Sequence, residues 1–251
     1  MKILLSDSFD PSLAGRLAKF GTVTDDKSQL PDCEVVLIRS KTKATAEYIA
    51  GAPKLQVIIR GGVGLDNVDA AAAKARGIKV FNTPEASSVA VAELAFALLL
   101  AIPNKVIDGH VSMKEGKWLK SELKRTELYQ KTLGIVGVGR IGTEIALRAK
   151  AFGMKVLGAD PVVPSHPQAE MTTLQELCRR SDMICFSTPL NDHTRGMINA
   201  GLIDMMKTGV ILVNTGRGKC VVEADLAAAL EAGKVGAYGT DVWESDPPPA
   251  T

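Results

Sequence analysis

Cysteine is sparse in this 251-residue chain and falls into no pattern. Cys33, Cys178, Cys185 and Cys220 lie far apart and form neither a C-x-x-C nor a metal-ligand spacing. That excludes a disulfide scaffold or a structural metal site as the organising feature, and the expectation is four mostly buried thiols in a reducing cytoplasm. No charge of one sign dominates. With 30 basic and 28 acidic residues the formal net charge is +2, which makes no case for nucleic acid or an anionic membrane as partner. Long hydrophobic runs are missing too. The most apolar segment, Val89–Ile102, is about fourteen residues and contains Glu93, so it reads as a buried helix and not a membrane span. The opening M-K-I-L-L is too short for a signal-peptide core, and Asp7 and Asp10 follow at once, as after a first strand. No repeat of solenoid length and no low-complexity segment occurs. The length leaves room for one large or two medium domains.

What the chain does have is the stretch Leu133–Gly142, L-G-I-V-G-V-G-R-I-G. An apolar β-type run ends in G-x-G-x-x-G, and a helical pattern starts there, the setting that gives this motif its meaning. Gly137 lets the chain turn tightly off the strand, Gly139 lets backbone amides approach a pyrophosphate, and Gly142 lets the helix pack close to the sheet. The helix N-terminus adds unsatisfied N–H groups and a partial positive charge. About twenty residues on, the next strand ends in Asp160, the carboxylate expected to bond a ribose 2′-hydroxyl. That acid repels a 2′-phosphate, and Pro161-Val162 offers no arginine to bind one. The stretch reads as an NAD site.

In residues 1–82 the pattern predicts strands at Lys2–Leu5, Glu34–Arg39, Leu55–Arg60 and Ile78–Phe81. Helices are expected near Pro11–Phe20, Thr45–Ala50 and Asp69–Ala75, the last capped by Asp69. A long helix apolar nearly all round follows Ser87 or Ser88, and then a polar, basic stretch around Trp118. Residues 132–241 form a second βαβ series, with strands at Thr132–Val136, Lys155–Ala159, Asp182–Ser187, Val210–Asn214 and Val235–Asp241. The alternation predicts an α/β chain of two doubly wound parallel domains. A flavodoxin-like substrate-binding domain is expected over 1–95 and an NAD-binding domain over 96–251.

Several blocks together resemble the D-isomer-specific 2-hydroxyacid dehydrogenases, most closely their phosphoglycerate-oxidising branch. They are L-S-D-S-F-D-P (5–11), I-R-S-K-T-K (38–43), R-G-G-V-G-L-D-N-V-D (60–69) and N-T-P-E-A-S-S-V-A-V-A-E-L (82–94). S-M-K-E-G-K-W (112–118), the glycine fingerprint, S-T-P-L (187–190), N-T-G-R-G (214–218) and D-V-W-E-S-D-P-P-P (241–249) continue the match. The resemblance implies two Rossmann-like domains with the active site in the cleft between them. It also implies a homodimer through the long helix and the arm around Trp118. The implied reaction is hydride transfer between NAD and a small 2-hydroxy or 2-oxo acid, which in that branch is 3-phosphoglycerate of serine biosynthesis.

By that resemblance Arg217 is catalytic, its fork clamping the substrate carboxylate and polarising the carbonyl. Backbone groups of Gly62, Val63 and Gly64 suit the carboxylate, Arg39 and Arg60 could receive a phosphate, and Lys120 matches a position that reaches the neighbouring subunit's substrate. On the coenzyme side Arg140 and Ile141 are the turn residues, and Thr188 and Pro189 border the adenine. Thr215 and Gly216 lie by the nicotinamide half, and Asp241 faces the carboxamide as a buried strand-end acid. The family's acid that orients the catalytic histidine falls at Asp246, where glutamate is usual. That histidine itself belongs to a P-H-x-G context beyond residue 251. The chain is therefore expected to be incomplete at its C-terminus, and as written to bind NAD but turn over poorly. His110, His166 and His193 read as solvated or structural. Two other readings stay open: a glyoxylate or hydroxypyruvate reductase, and a non-catalytic NAD-sensing corepressor on the same fold.

Overall fold

The computed structural model describes residues 1–245, 247 and 248. By their contacts they form two compact units divided at Ser87/Ser88, earlier than the boundary after residue 95 that the pattern suggested. The reason is the long helix, which packs on the second unit along its whole length.

The first unit is a five-stranded parallel sheet of β1 (Lys2–Leu5), β2 (Thr22–Thr24), β3 (Val35–Ile38), β4 (Val57–Arg60) and β5 (Lys79–Asn82). Its order is β2-β1-β3-β4-β5, the flavodoxin-like arrangement. The centre goes to β3 because V-V-L-I is apolar on both faces, and all four residues are buried. Helices α1 (Ser12–Leu17), α2 (Ala46–Ala50) and α3 (Ala70–Ala75) make the crossovers. Asp69 caps α3 as expected, accepting from the Ala72 amide at 2.8 Å. Unforeseen was β2, three residues at the sheet edge, too short to show alternation.

The second unit begins with α4 (Ser88–Ala101) and α5 (Val106–Lys114). It continues with β6 (Thr132–Val136), α6 (Arg140–Ala151), β7 (Lys155–Ala159), β8 (Glu170–Met171), α7 (Leu174–Arg180) and β9 (Met183–Phe186). After these come α8 (Ala200–Asp204), β10 (Val210–Asn214), α9 (Glu223–Glu231) and β11 (Val235–Thr240). All six strands are parallel, in the order β11-β10-β9-β6-β7-β8. That is the doubly wound dinucleotide-binding order, and it reverses between β6 and β9. One face of the sheet packs on α4 and α6 through Ala92, Phe96, Leu99, Ile145 and Ala149. The other packs on α7, α8 and α9 through Leu177, Ile203 and Leu226. Two-residue β8 and helix α5 escaped the sequence pattern.

Helix α4 corrects one expectation. Its apolar surface is buried only on the side of Ala92, Ala95, Phe96 and Leu99, while Val89 and Leu94 are exposed. No single helix among the described residues is long and apolar enough to cross a membrane. All four cysteines are free and buried, as expected.

Candidate active site

The glycine-rich turn sits where the strand order reverses. Gly137 has φ +88°, and its amide donates to the Ala159 carbonyl at 2.9 Å, hooking the turn onto β7. A Cβ on Gly142 would stand 2.2 Å from the Gly137 carbonyl oxygen, so only glycine lets α6 start this close to the turn. Gly139 differs. An added Cβ there meets nothing within 4 Å, so protein packing does not require the glycine and the open space is left for a ligand. Gly139 is also the N-cap of α6 and gives it no side-chain cap, which leaves the first-turn amides, around Arg140 and Ile141, facing outward.

Beside this turn lies a cavity of about 530 Å³. Gly137 and Gly139 form one wall, Asp160, Pro161 and Val162 a second, and Ser187, Thr188 and Pro189 a third. Asp160 is fixed by two amides: Val138 donates to Oδ2 at 3.1 Å and Val162 to Oδ1 at 2.9 Å. Each oxygen keeps a lone pair for a hydroxyl. Ser187 Oγ is buried in the cavity wall with no hydrogen-bond partner among the described residues. A largely apolar pocket that carries an unpartnered hydroxyl, a fixed carboxylate and an uncapped helix start fits the adenosine and pyrophosphate of a dinucleotide.

At the ends of β10 and β11 a second group of residues meets. Asn214 is buried; its Nδ2 donates to the Arg217 carbonyl at 3.1 Å and to the Tyr238 hydroxyl at 3.2 Å, and its Oδ1 accepts the Gly216 amide at 3.0 Å. One side chain thus shapes the loop through Thr215 and Gly216 to Arg217. Arg217 is half-buried, and its guanidinium donates to the Gly216 carbonyl at 2.8 Å. The loop after β11 packs tightly against the next residue, since a Cβ on Gly218 would fall 2.0 Å from the Trp243 carbonyl.

Asp241 requires a correction. It follows β11 and is exposed, not the buried strand-end acid the sequence suggested. Loss of surrounding water raises its carboxyl pKa, and the Arg217 charge partly offsets the rise. Thr215, Gly216 and Asp241 do not line the 530 Å³ cavity. Asp246 lies outside the described residues.

In the first unit, Arg39 follows β3 and Arg60 ends β4, and these strands are neighbours with Ile38 paired to Arg60. The exposed Arg39 reaches the Ser8 carbonyl at 3.3 Å, and the half-buried Arg60 folds its guanidinium over Gly62. The Gly62 amide, expected to face substrate, donates instead to Thr83 Oγ1 at 2.9 Å. Asn82 Nδ2 donates to the Val63 carbonyl at 2.6 Å. Asn82 and Thr83 therefore shape the glycine loop and present Val63 and Gly64.

The histidines take separate places. His166 Nδ1 accepts the Gln168 amide at 3.2 Å, which puts the ring proton on Nε2, donating to Thr143 Oγ1 at 2.9 Å. His193 lines the coenzyme cavity, its amide bonded to Asn191, and His110 lies exposed on α5. Sequence reasoning missed the roles of Ser187, Asn214, Tyr238, Asn82 and Thr83. All but Tyr238 stand inside matched blocks; Tyr238 carries no motif.

Comparison with known proteins identifies the family of the chain. Residues 96–251 match the family profile described as the D-isomer specific 2-hydroxyacid dehydrogenase NAD binding domain. A hydroxypyruvate reductase from Thermotoga maritima is 47% identical over 220 residues, 87% of this chain and 72% of that protein. A D-3-phosphoglycerate dehydrogenase from Methanocaldococcus jannaschii is 40% identical over 99% of this chain, which spans only 50% of that relative's length. Among solved structures, a D-lactate dehydrogenase from Aquifex aeolicus complexed with NAD and lactic acid superposes with a TM-score of 0.89. It is 32% identical, over 98% of this chain and 78% of that one. An NAD-binding domain of this kind, in a chain so similar to these enzymes, means that the protein belongs to the D-isomer specific 2-hydroxyacid dehydrogenase family.

Proposed function

We propose that this chain is the NAD-dependent core of a cytoplasmic, homodimeric dehydrogenase that interconverts 3-phosphoglycerate and 3-phosphohydroxypyruvate. The observation that carries the substrate is the pair Arg39 and Arg60 on neighbouring strand ends, with the Gly62–Gly64 loop beside Arg60. Two guanidinium groups close to backbone amides suit a doubly charged phosphate more than an uncharged hydroxymethyl group.

When bound, NAD supplies the hydride acceptor at its nicotinamide ring. The α6 amides and the Gly139 opening hold the pyrophosphate, and Asp160 accepts from the ribose hydroxyls. Arg217 clamps the 2-oxo acid, lowering the entropy cost of bringing the reacting carbon into line and stabilising negative charge on the carbonyl oxygen. Asn214 keeps Arg217 in register for that task.

A second reading, hydroxypyruvate reductase, is supported by the 47% identity to the Thermotoga maritima enzyme. The two substrates differ by one phosphate. NADH oxidation measured side by side with 3-phosphohydroxypyruvate, hydroxypyruvate and glyoxylate decides between them. At least a tenfold preference in kcat/KM for the phosphorylated acid, removed by Arg39→Ala or Arg60→Ala, supports the first reading. An equal or better rate with hydroxypyruvate selects the second.

The dimer rests on a different feature, the large apolar side chains exposed on α4, α5 and the following arm. Leu94, Ile107, Met113 and Trp118 are uncovered in the single chain, Trp118 by 73%. Met113 and Trp118 share one groove, and exposed apolar side chains that cluster in this way mark an interface.

A further inference from the structure

The second unit holds another cavity, of about 310 Å³, at the opposite edge of its sheet from the coenzyme turn. It opens at the amino ends of β6, β9, β10 and β11, where Lys131, Met183, Val210 and Gly236 lie; the coenzyme cavity uses the carboxyl ends. Nothing in the dehydrogenase reading uses it.

Its chemistry is one-sided. Lys105, Lys124, Lys131 and Lys207 all line it, with a single carboxylate, Asp182. That carboxylate is already engaged: Lys207 Nζ donates to Oδ1 and the Thr132 amide to Oδ2, both at 2.8 Å. Lys105 has a longer ion pair with Asp108, at 3.8 Å. Lys124 forms no ion pair among the described residues, and Lys131 acts on Asp182 through its charge without a close ion pair. Lys131 and Lys105 are half-buried, which reduces the screening of their charge. Thr126 and Thr208 add hydroxyls at the rim, and Val210 and Ile211 an apolar floor.

We propose that this cavity is a binding site for a small phosphorylated metabolite, separate from the coenzyme site. The excess positive charge calls for an anion. Four ammonium groups act as point charges, and lysine so placed is a common phosphate binder, so a compact, multiply charged phosphoryl group suits the set. The volume is at the lower end for small-molecule sites, room for a compact ligand and not for a second dinucleotide.

The test is calorimetric titration of inorganic pyrophosphate into the chain saturated with NADH, so that the glycine turn is already filled. Expected is saturable binding, weakened at least tenfold by Lys124→Glu with Lys131→Glu while NADH affinity stays unchanged. The milder pair Lys124→Gln with Lys131→Gln should weaken it in the same direction, and guards against misfolding caused by charge reversal beside Asp182. A control pair in the first unit, Lys74→Glu with Lys79→Glu, carries the same change in net charge and should leave binding intact. Three results overturn the proposal: no saturable binding to the NADH-loaded chain, an equal loss in the control pair, or citrate binding as tightly as pyrophosphate.

Discussion

Asn214 donates from Nδ2 to the carbonyl oxygen of Arg217 at 3.1 Å, so a buried amide side chain joins the Cys220 amide, which donates to the same oxygen at 3.2 Å, in setting where the arginine loop turns. The same side chain accepts from Gly216 and donates to Tyr238, so it bonds three groups at once. Asn214→Ala removes all three bonds and leaves the Gly216 amide without its partner, which should cost about 1–3 kcal/mol of stability. It should also lower kcat/KM for the oxo acid at least tenfold. Tyr238→Phe removes the hydroxyl's bonds to Asn214 and Thr240 and should cost less, about 1 kcal/mol. Urea denaturation with parallel kinetics checks both, and an Asn214→Ala variant as stable as the parent would show that the loop is held by other means.

Asp160 is held by the Val138 and Val162 amides at the edge of the coenzyme cavity. Asp160→Ala should weaken NADH binding about tenfold, the loss of a charge-assisted hydrogen bond of about 1.5 kcal/mol. Relative affinity for NADPH should rise, since the repulsion of a 2′-phosphate disappears. Fluorescence titration with both coenzymes reads the ratio directly.

Acid should loosen the first unit through Asp7. Burial works to raise its pKa, but bonds from the Thr42 hydroxyl at 2.7 Å and the Arg39 and Thr42 amides outweigh that and hold it below its ordinary value. A carboxyl whose folded pKa is depressed stabilises fully above its unfolded pKa of about 3.9 and loses that contribution as pH falls through the lower folded value. Asp7→Asn should therefore be less stable than the parent at pH 7, by about 1–2 kcal/mol. The gap should narrow below about pH 4. Denaturation midpoints at pH 7 and pH 3 give the comparison; a gap that widens in acid contradicts the assignment.

The thiols should be silent in the native chain. Burial pushes Cys185 up to about 12 and Cys178 up to about 11, so at pH 8 only about one in ten thousand and one in a thousand, respectively, is thiolate. Cys33 and Cys220 are buried as well. Ellman's reagent should label none within minutes and all four once guanidinium is added.

Self-association should depend on Trp118, which lines a groove with Met113 on the arm. Sedimentation velocity should show a dimer at micromolar concentration, and Trp118→Lys should shift it to monomer with unchanged NADH affinity. A parent chain that sediments as a monomer would sink the idea.

Most of the architecture was legible because it is written in local rules. The β6 glycine turn, Asp160 and the Asp69 cap each depend on residues within one strand–turn–helix unit, where glycine conformation, capping and period act at short range. The apolar run V-V-L-I announced a strand for the same reason, and its central place came from the fold. What sequence could not give depends on neighbours distant along the chain. Strand β8 exists only because β7 offers it an edge, and two residues carry no periodicity of their own. Gly62 looked like a substrate donor until Thr83, twenty-one residues on, took its amide. Asp241 looked buried because strand ends often are, yet no described element covers it in this chain. Tyr238 and Asn214 meet because β10 and β11 pair in parallel, and only that register brings a hydroxyl to the amide that shapes the Arg217 loop. The sequence determined the kinds of element and the coenzyme fingerprint, since these follow from short-range sterics and hydrogen bonding. Tertiary packing decided which polar groups remain open to a ligand, because that depends on which partners the fold delivers to each one.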